Sequence, residues 1–152
     1  MKRFILLTIS LLMAAMGFVA CDDDPVVPTE PQLEVTANNI AGEWQLSSWK
    51  GAPLAEGSYV YLAFDRRERT YTLYQNLDSF STRVLTGGFY IETDERWGAV
   101  IRGNYDYDRG DWAHRYTVIS LTANEMIWAS LDNVVDQSVY VRTEIPAEIK
   151  GE

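Results

Sequence analysis

The chain has one cysteine and one histidine in 152 residues. The first excludes an internal disulfide framework, and the second excludes a metal site built on several imidazoles. Positive charge is also scarce, with 13 Lys and Arg against 22 Asp and Glu, a formal net charge of -9 and an isoelectric point near 4.6. No basic field exists to neutralise phosphates, so nucleic acid is excluded as a partner. After the first 20 residues there is no long apolar run, and no helical period lasts beyond a turn or two. What the chain does have is aromatic bulk, 5 Trp and 9 Tyr, set in short alternating segments. Its length and 47% hydrophobic content fit one globular domain with a short appendage.

The appendage comes first. Lys2 and Arg3 precede an apolar run from Phe4 to Val19, which reads as a signal peptide over residues 1–20. Phe18-Val19-Ala20-Cys21 resembles the lipobox of bacterial lipoproteins, with Phe18 where that motif usually has Leu. The resemblance implies cleavage before Cys21, lipidation of its thiol and a membrane partner reached through the lipid anchor. Removing residues 1–20 takes away Lys2 and Arg3 and no acid, moving the formal charge from -9 to -11. Residues 21–39, with Asp22-Asp23-Asp24 and then Pro25, Pro28 and Pro31, read as an extended, solvated tether. The acidic run after Cys21 resembles the leader of surface-exported Bacteroides lipoproteins, which implies the outer membrane and its outward face.

Residues 40–152 are expected to form the domain. Gly42 to Trp49 opens it with strict alternation, and a Gly lets the chain turn before Trp44 is buried. Further strands are expected at 59–64, 69–75, 83–92, 97–105, 115–121, 126–131 and 138–145, with Pro146 ending the last. Gly87-Gly88 predicts a bend in the wall. Eight strands in meander order predict an all-β antiparallel barrel, the size at which a closed sheet holds a filled core or one small ligand. Val60, Leu62 and Phe64 are expected to turn inward with Trp44, Leu46, Tyr71, Leu73, Trp97, Ile101, Val118, Trp128 and Val141.

Gly42-x-Trp44 resembles the opening motif of the lipocalins and their calycin relatives, and Arg142 falls where those folds place a basic residue across that Trp. The ordered set Gly42-Glu43-Trp44-Gln45-Leu46, Tyr71-Thr72-Leu73-Tyr74-Gln75, Gly87 to Ile91 and Tyr140-Val141-Arg142 is similar to the small lipocalin-like domains of Bacteroides lipoproteins. The likeness spans residues 40–146. It lacks the Thr-Asp-Tyr motif, the disulfide and the C-terminal helix of full lipocalins. It implies a lipocalin-like barrel closed by Gly42, Trp44 and Arg142, and a family habit of binding small apolar molecules.

Two sets of aromatics are candidates for contact with a ligand. Trp44, Phe64, Tyr71, Trp97, Tyr105 and Trp128 are placed to line an apolar pocket at one barrel mouth. Trp49, Tyr59, Tyr61 and Trp112, with Tyr74, Tyr90 and Tyr140, are placed on the outer face, where rings can stack on a glycan or dock an envelope protein. Catalytic patterns are poor. His114 has no nucleophile placed beside it by a motif, and Asp106-x-Asp108-x-Gly110-Asp111 lacks the spacing of a calcium loop. Glu92, Asp94 and Glu95 could serve a carboxylate hydrolase. The expectation is a non-catalytic, lipid-anchored envelope protein that binds a small apolar molecule or glycan, with no metal or cofactor; a purely structural module is the alternative.

Overall fold

The computed structural model describes residues 30–78, 81–107 and 109–152. The signal peptide, Cys21 and the acidic run therefore lie outside the described residues, as does Asp108. Eight strands form one closed antiparallel barrel in simple meander order: β1 (Gly42–Trp49), β2 (Tyr59–Asp65), β3 (Thr70–Asn76), β4 (Arg83–Asp94), β5 (Gly98–Gly103), β6 (Tyr116–Leu121), β7 (Glu125–Ser130) and β8 (Asn133–Arg142). One-turn helices α1 (Ala37–Ile40) and α2 (Ala147–Lys150) flank them. Closure pairs β1 with β8, Trp44 lying opposite Arg142. Among the described residues each strand of the barrel has a partner on both sides.

The turns follow from their side chains. Asp65 accepts hydrogen bonds from the backbone N–H groups of Arg67 and Glu68 at 2.7 and 2.9 Å, and Asp94 does the same for Arg96 and Trp97 at 2.8 and 3.0 Å. Each hairpin then passes through a left-handed residue four positions on, Arg69 and Gly98. This turn absorbs Trp97, which does not enter the barrel as its place in the alternation had suggested; Arg96 lies over its ring at 4.7 Å. Gly87-Gly88 does mark a corner. Up to Gly88, β4 pairs with β3, and from Phe89 onward it pairs with β5.

The sealed end is built around Trp44. Its side chain is wholly buried among Ile40, Leu121 and Met126, and its indole N–H donates to the Ile40 carbonyl at 2.8 Å. The Arg142 guanidinium lies 4.0 Å from the ring centre and donates to the carbonyls of Ala41, Asn39 and Ala123 at 2.7, 3.0 and 2.7 Å. Burial lowers the pKa of this guanidinium from its ordinary value. Arg142 thus ties β8 both to the chain entering β1 and to the β6–β7 turn.

Residues 30–39 were read as the end of a tether, but they are packed on the barrel. Leu33 and Val35 join the core, the Leu33 N–H donates to the Leu121 carbonyl at 2.7 Å, and Glu30 accepts from Asn124 at 2.6 Å. Alternation is the cause: Leu33, Val35 and Ala37 present one apolar face to the barrel bottom. At the other terminus, Glu43 bonds the Ile145 N–H at 2.6 Å and Lys150 at 2.9 Å. Burial works to raise the Glu43 pKa, but these two partners outweigh it and hold the carboxyl below its usual value.

Two further differences concern β8. It starts at Asn133, so the hairpin before it is only Leu131-Asp132, and Asn133, expected in a turn, pairs with Ser130 of β7 before the register shifts to Gln137 opposite Ala129. Its inward set is Tyr140 and Arg142, whereas Val141, expected inside, faces out. Tyr140, expected outside, is buried against Trp128.

Candidate functional site

In a meander the β1–β2, β3–β4, β5–β6 and β7–β8 connections share one end, opposite α1 and the Trp44 plug. That end holds a cavity of about 150 Å³. Leu62 of β2 and Leu73 of β3 line one side. The rest is aromatic: Tyr71, Tyr105, Trp112, Tyr116, Trp128 and Tyr140, with Ala113 and His114 at the rim.

Five of these rings form a continuous arc from β3 to β8. Tyr71 meets Trp112 edge-on at 4.9 Å and 75°, and Trp112 meets Tyr116 at 6.1 Å and 72°. Tyr116 stacks on Trp128 at 4.9 Å and 23°, and Trp128 meets Tyr140 at 4.9 Å and 75°. Each such contact stabilises by about 0.5 to 1.5 kcal/mol beyond burial, so the arc holds its own shape.

The long β5–β6 loop supplies Tyr105 and Trp112, and two glycines let it sit down. A Cβ on Gly87 would run into the Asn104 carbonyl, and one on Gly103 would run into the Trp112 ring. With hydrogen there instead, Asn104 N–H donates to the Gly88 carbonyl at 3.0 Å and the Gly88 N–H donates to the Asn104 side-chain oxygen at 2.8 Å. Tyr71 completes the seat. Its hydroxyl donates to the Asn104 carbonyl at 3.1 Å and accepts from the Trp112 indole N–H at 2.9 Å.

Three of the phenols are held in their neutral form. Burial is the main cause for Tyr71, Tyr116 and Tyr140, whose pKa values all lie above the ordinary one. Nearby charge adds to it, Asp106 acting on Tyr71 and Asp132 on Tyr116. At the rim, His114 Nδ1 and the Asp132 carboxylate are 2.6 Å apart.

Of the residues expected to line a pocket, Tyr71, Tyr105 and Trp128 do so. Trp44 belongs to the plug, Phe64 packs edge-on against Phe89 in the core, and Trp97 is in a turn. Of those placed on the surface, Trp112 lines the cavity instead. Tyr59 and Tyr61 are half-buried against each other, with Tyr59 bonded to Thr82, and Trp49 alone of the four is exposed, at 52%. No shared ring platform results. Tyr116, Tyr140 and His114 went unassigned to a pocket, although Tyr116 shares its alternation with Val118 and Tyr140 with Arg142.

Glu92 faces Arg102 at 3.5 Å and Asp94 is committed to its turn, so neither carboxylate addresses the cavity. Among the described residues no cluster of His, Cys, Asp or Glu could hold a metal ion. The arrangement can enclose a small group. Among the described residues that line it there is no Ser or Cys to act as a nucleophile.

Residues 40–128 match a family described as a lipocalin-like domain. The match covers more than half of the chain, which belongs to this family. Among solved structures, the chain is similar to a protein from Bacteroides uniformis determined by NMR, with a TM-score of 0.51 and 18% identity over 72% of this chain and 94% of that one. At that identity the likeness is one of fold. No curated protein matches the chain.

Proposed function

We propose that this is a non-catalytic binding protein of the bacterial envelope, anchored by lipid at Cys21, that takes a ring-sized organic group into the aromatic cup opposite Trp44. The observation that carries the reading is the arc of five rings around an open space of about 150 Å³. Pockets for whole drug-sized molecules run to roughly 300 to 1,000 Å³. The cup therefore takes one ring or head group, and the remainder of a larger ligand stays in solvent. Membership of the lipocalin-like family supports the same use of the barrel interior.

Toluene or cyclohexanol added to the isotopically labelled chain should shift the indole N–H signals of Trp112 and Trp128 and leave that of Trp49 in place. Tyr116→Leu should weaken the interaction about fivefold, from loss of one aromatic contact. Unmoved Trp112 and Trp128 signals would remove the cup as a binding site.

The anchor rests on the residues Phe18 to Cys21 and is tested separately. The wild-type protein made in a bacterium should enter the detergent phase on phase separation, and Cys21→Ser should remain in the aqueous phase. Aqueous partitioning of both would end the anchoring proposal and with it the envelope address.

A further inference from the structure

We infer that the cup selects an organic cation, a quaternary or tertiary ammonium head group, over an uncharged group of the same shape. This deepens the reading of the cup as a binding site and rests on it. The walls are the first reason. Tyr and Trp rings carry negative potential on their faces, and a cation within about 6 Å of a ring centre is attracted without needing a counter-ion. Successive rings of the arc meet at 75°, 72°, 23° and 75°, so three of the four junctions are corners and the rings bound the space from different directions.

The second reason is the sign of the surrounding charge. Among the described residues no Lys or Arg lines the cup. Arg109, on the loop above it, lies 5.8 Å from the ring centre of Tyr107, which is itself 85% exposed. Two carboxylates stand nearby. Asp106 accepts from the Thr86 hydroxyl at 2.6 Å, next to the Gly87 seat, and Asp132 meets His114 at the rim. Both disfavour a phenolate within the cup, behind the larger effect of burial, and the same field favours a guest cation. The whole chain adds its net charge of -9.

The third reason is size and the absence of competing chemistry. A space of about 150 Å³ suits a compact head group, and the openings leave a tail free to extend. The hydroxyls of Tyr105 and Tyr116 have no hydrogen-bond partner among the described residues, so they remain available to a tertiary ammonium N–H or to water around it.

The test compares choline with 3,3-dimethyl-1-butanol, its uncharged isostere, on the labelled full chain at constant ionic strength. Choline should shift the Trp112 and Trp128 indole signals and bind roughly tenfold tighter than the alcohol. Asp132→Asn should weaken choline and leave the alcohol unchanged, while Tyr116→Leu should weaken choline more than the alcohol. Equal binding of the two probes, or tighter binding of the alcohol, overturns the cation selectivity and leaves the cup standing as a site. A shift with toluene and none with choline does the same. Silence of the cup toward toluene, cyclohexanol, choline and the alcohol removes both readings together.

Discussion

Trp44→Ala should lower the stability of the barrel by about 3 to 5 kcal/mol, the range for deleting a fully buried large aromatic. Three losses coincide at this position. The ring fills the sealed end among Ile40, Leu121 and Met126, so its removal leaves a void that strands cannot close without breaking register. The Ile40 carbonyl loses its donor from the indole, and Arg142 loses the ring beneath its guanidinium. A buried acceptor without a partner adds to the cavity cost. Trp44→Phe keeps most of the volume and should lie between the two, which separates the packing loss from the loss of the N–H. Denaturant midpoints measure all three proteins. A Trp44→Ala midpoint equal to the wild type would show that this ring is not the plug.

Gly87→Ala should have the second large effect, and it should act on the cup as well as on stability. The added methyl has backbone against it: the Asn104 carbonyl carbon would lie at 2.8 Å and its oxygen nearer still, with Tyr71 Cε1 at 3.0 Å. Carbonyls do not rotate out of the way as side-chain ends do. The β5–β6 loop must therefore lift from β4, giving up both Asn104–Gly88 bonds and the Tyr71 bond to Asn104. Overpacking of this kind costs about 1 to 3 kcal/mol, and backbone contact places it at the upper end. Because the same loop carries Tyr105 and Trp112, the Trp112 indole signal should move and the response to toluene should fall away. A variant with wild-type melting temperature and an unmoved Trp112 signal would show that the loop is not seated on Gly87.

The strands were legible where side chains coded both the alternation and the turn. β1, β2 and β3 lie within one residue of their expected ends because Gly42, Asp65 and a Thr and Tyr run mark them. The β4–β5 turn was placed correctly in outline, yet Trp97 was assigned to the wall because the Asp94 bonds that hold it in the turn are local polar chemistry invisible to a hydrophobic pattern. Residues 132–136 were read as a turn on their Asp and Asn, but Asn133 pairs with Ser130 of β7 and, after a register shift, Gln137 pairs with Ala129, so tertiary pairing carries the strand through this stretch. The parity of β8 was available. Arg142 over Trp44 requires its side chain to point inward, and period two then places Tyr140 inside and Val141 outside.

The cup was half legible for the same reason. Tyr71 and Trp128 lie on strands whose alternation is clean, so their direction could be read. Trp112 lies on a loop, and its inward position depends on two glycines, Gly87 and Gly103, that are distant from it along the chain. No periodicity encodes that contact. The strap at residues 30–36 was obscured by the opposite fault, since Pro31 and the Pro-rich sequence before it read as a tether while Leu33 and Val35 keep the alternation of an apolar face.

That strap also gives the barrel a mechanical polarity. It runs onto the structure beside the β6–β7 turn, at the end away from the cup, and is held by the Leu33 bond to Leu121, by Gln32 on the Leu121 N–H and the Ser120 hydroxyl, and by Glu30 on Asn124. A force applied at residue 30 is met first by these few bonds, which lie between it and the helix α1 that leads to Trp44. The cup stands at the opposite end of the barrel from these bonds, so strain entering at residue 30 meets the strap before it meets the aromatic arc.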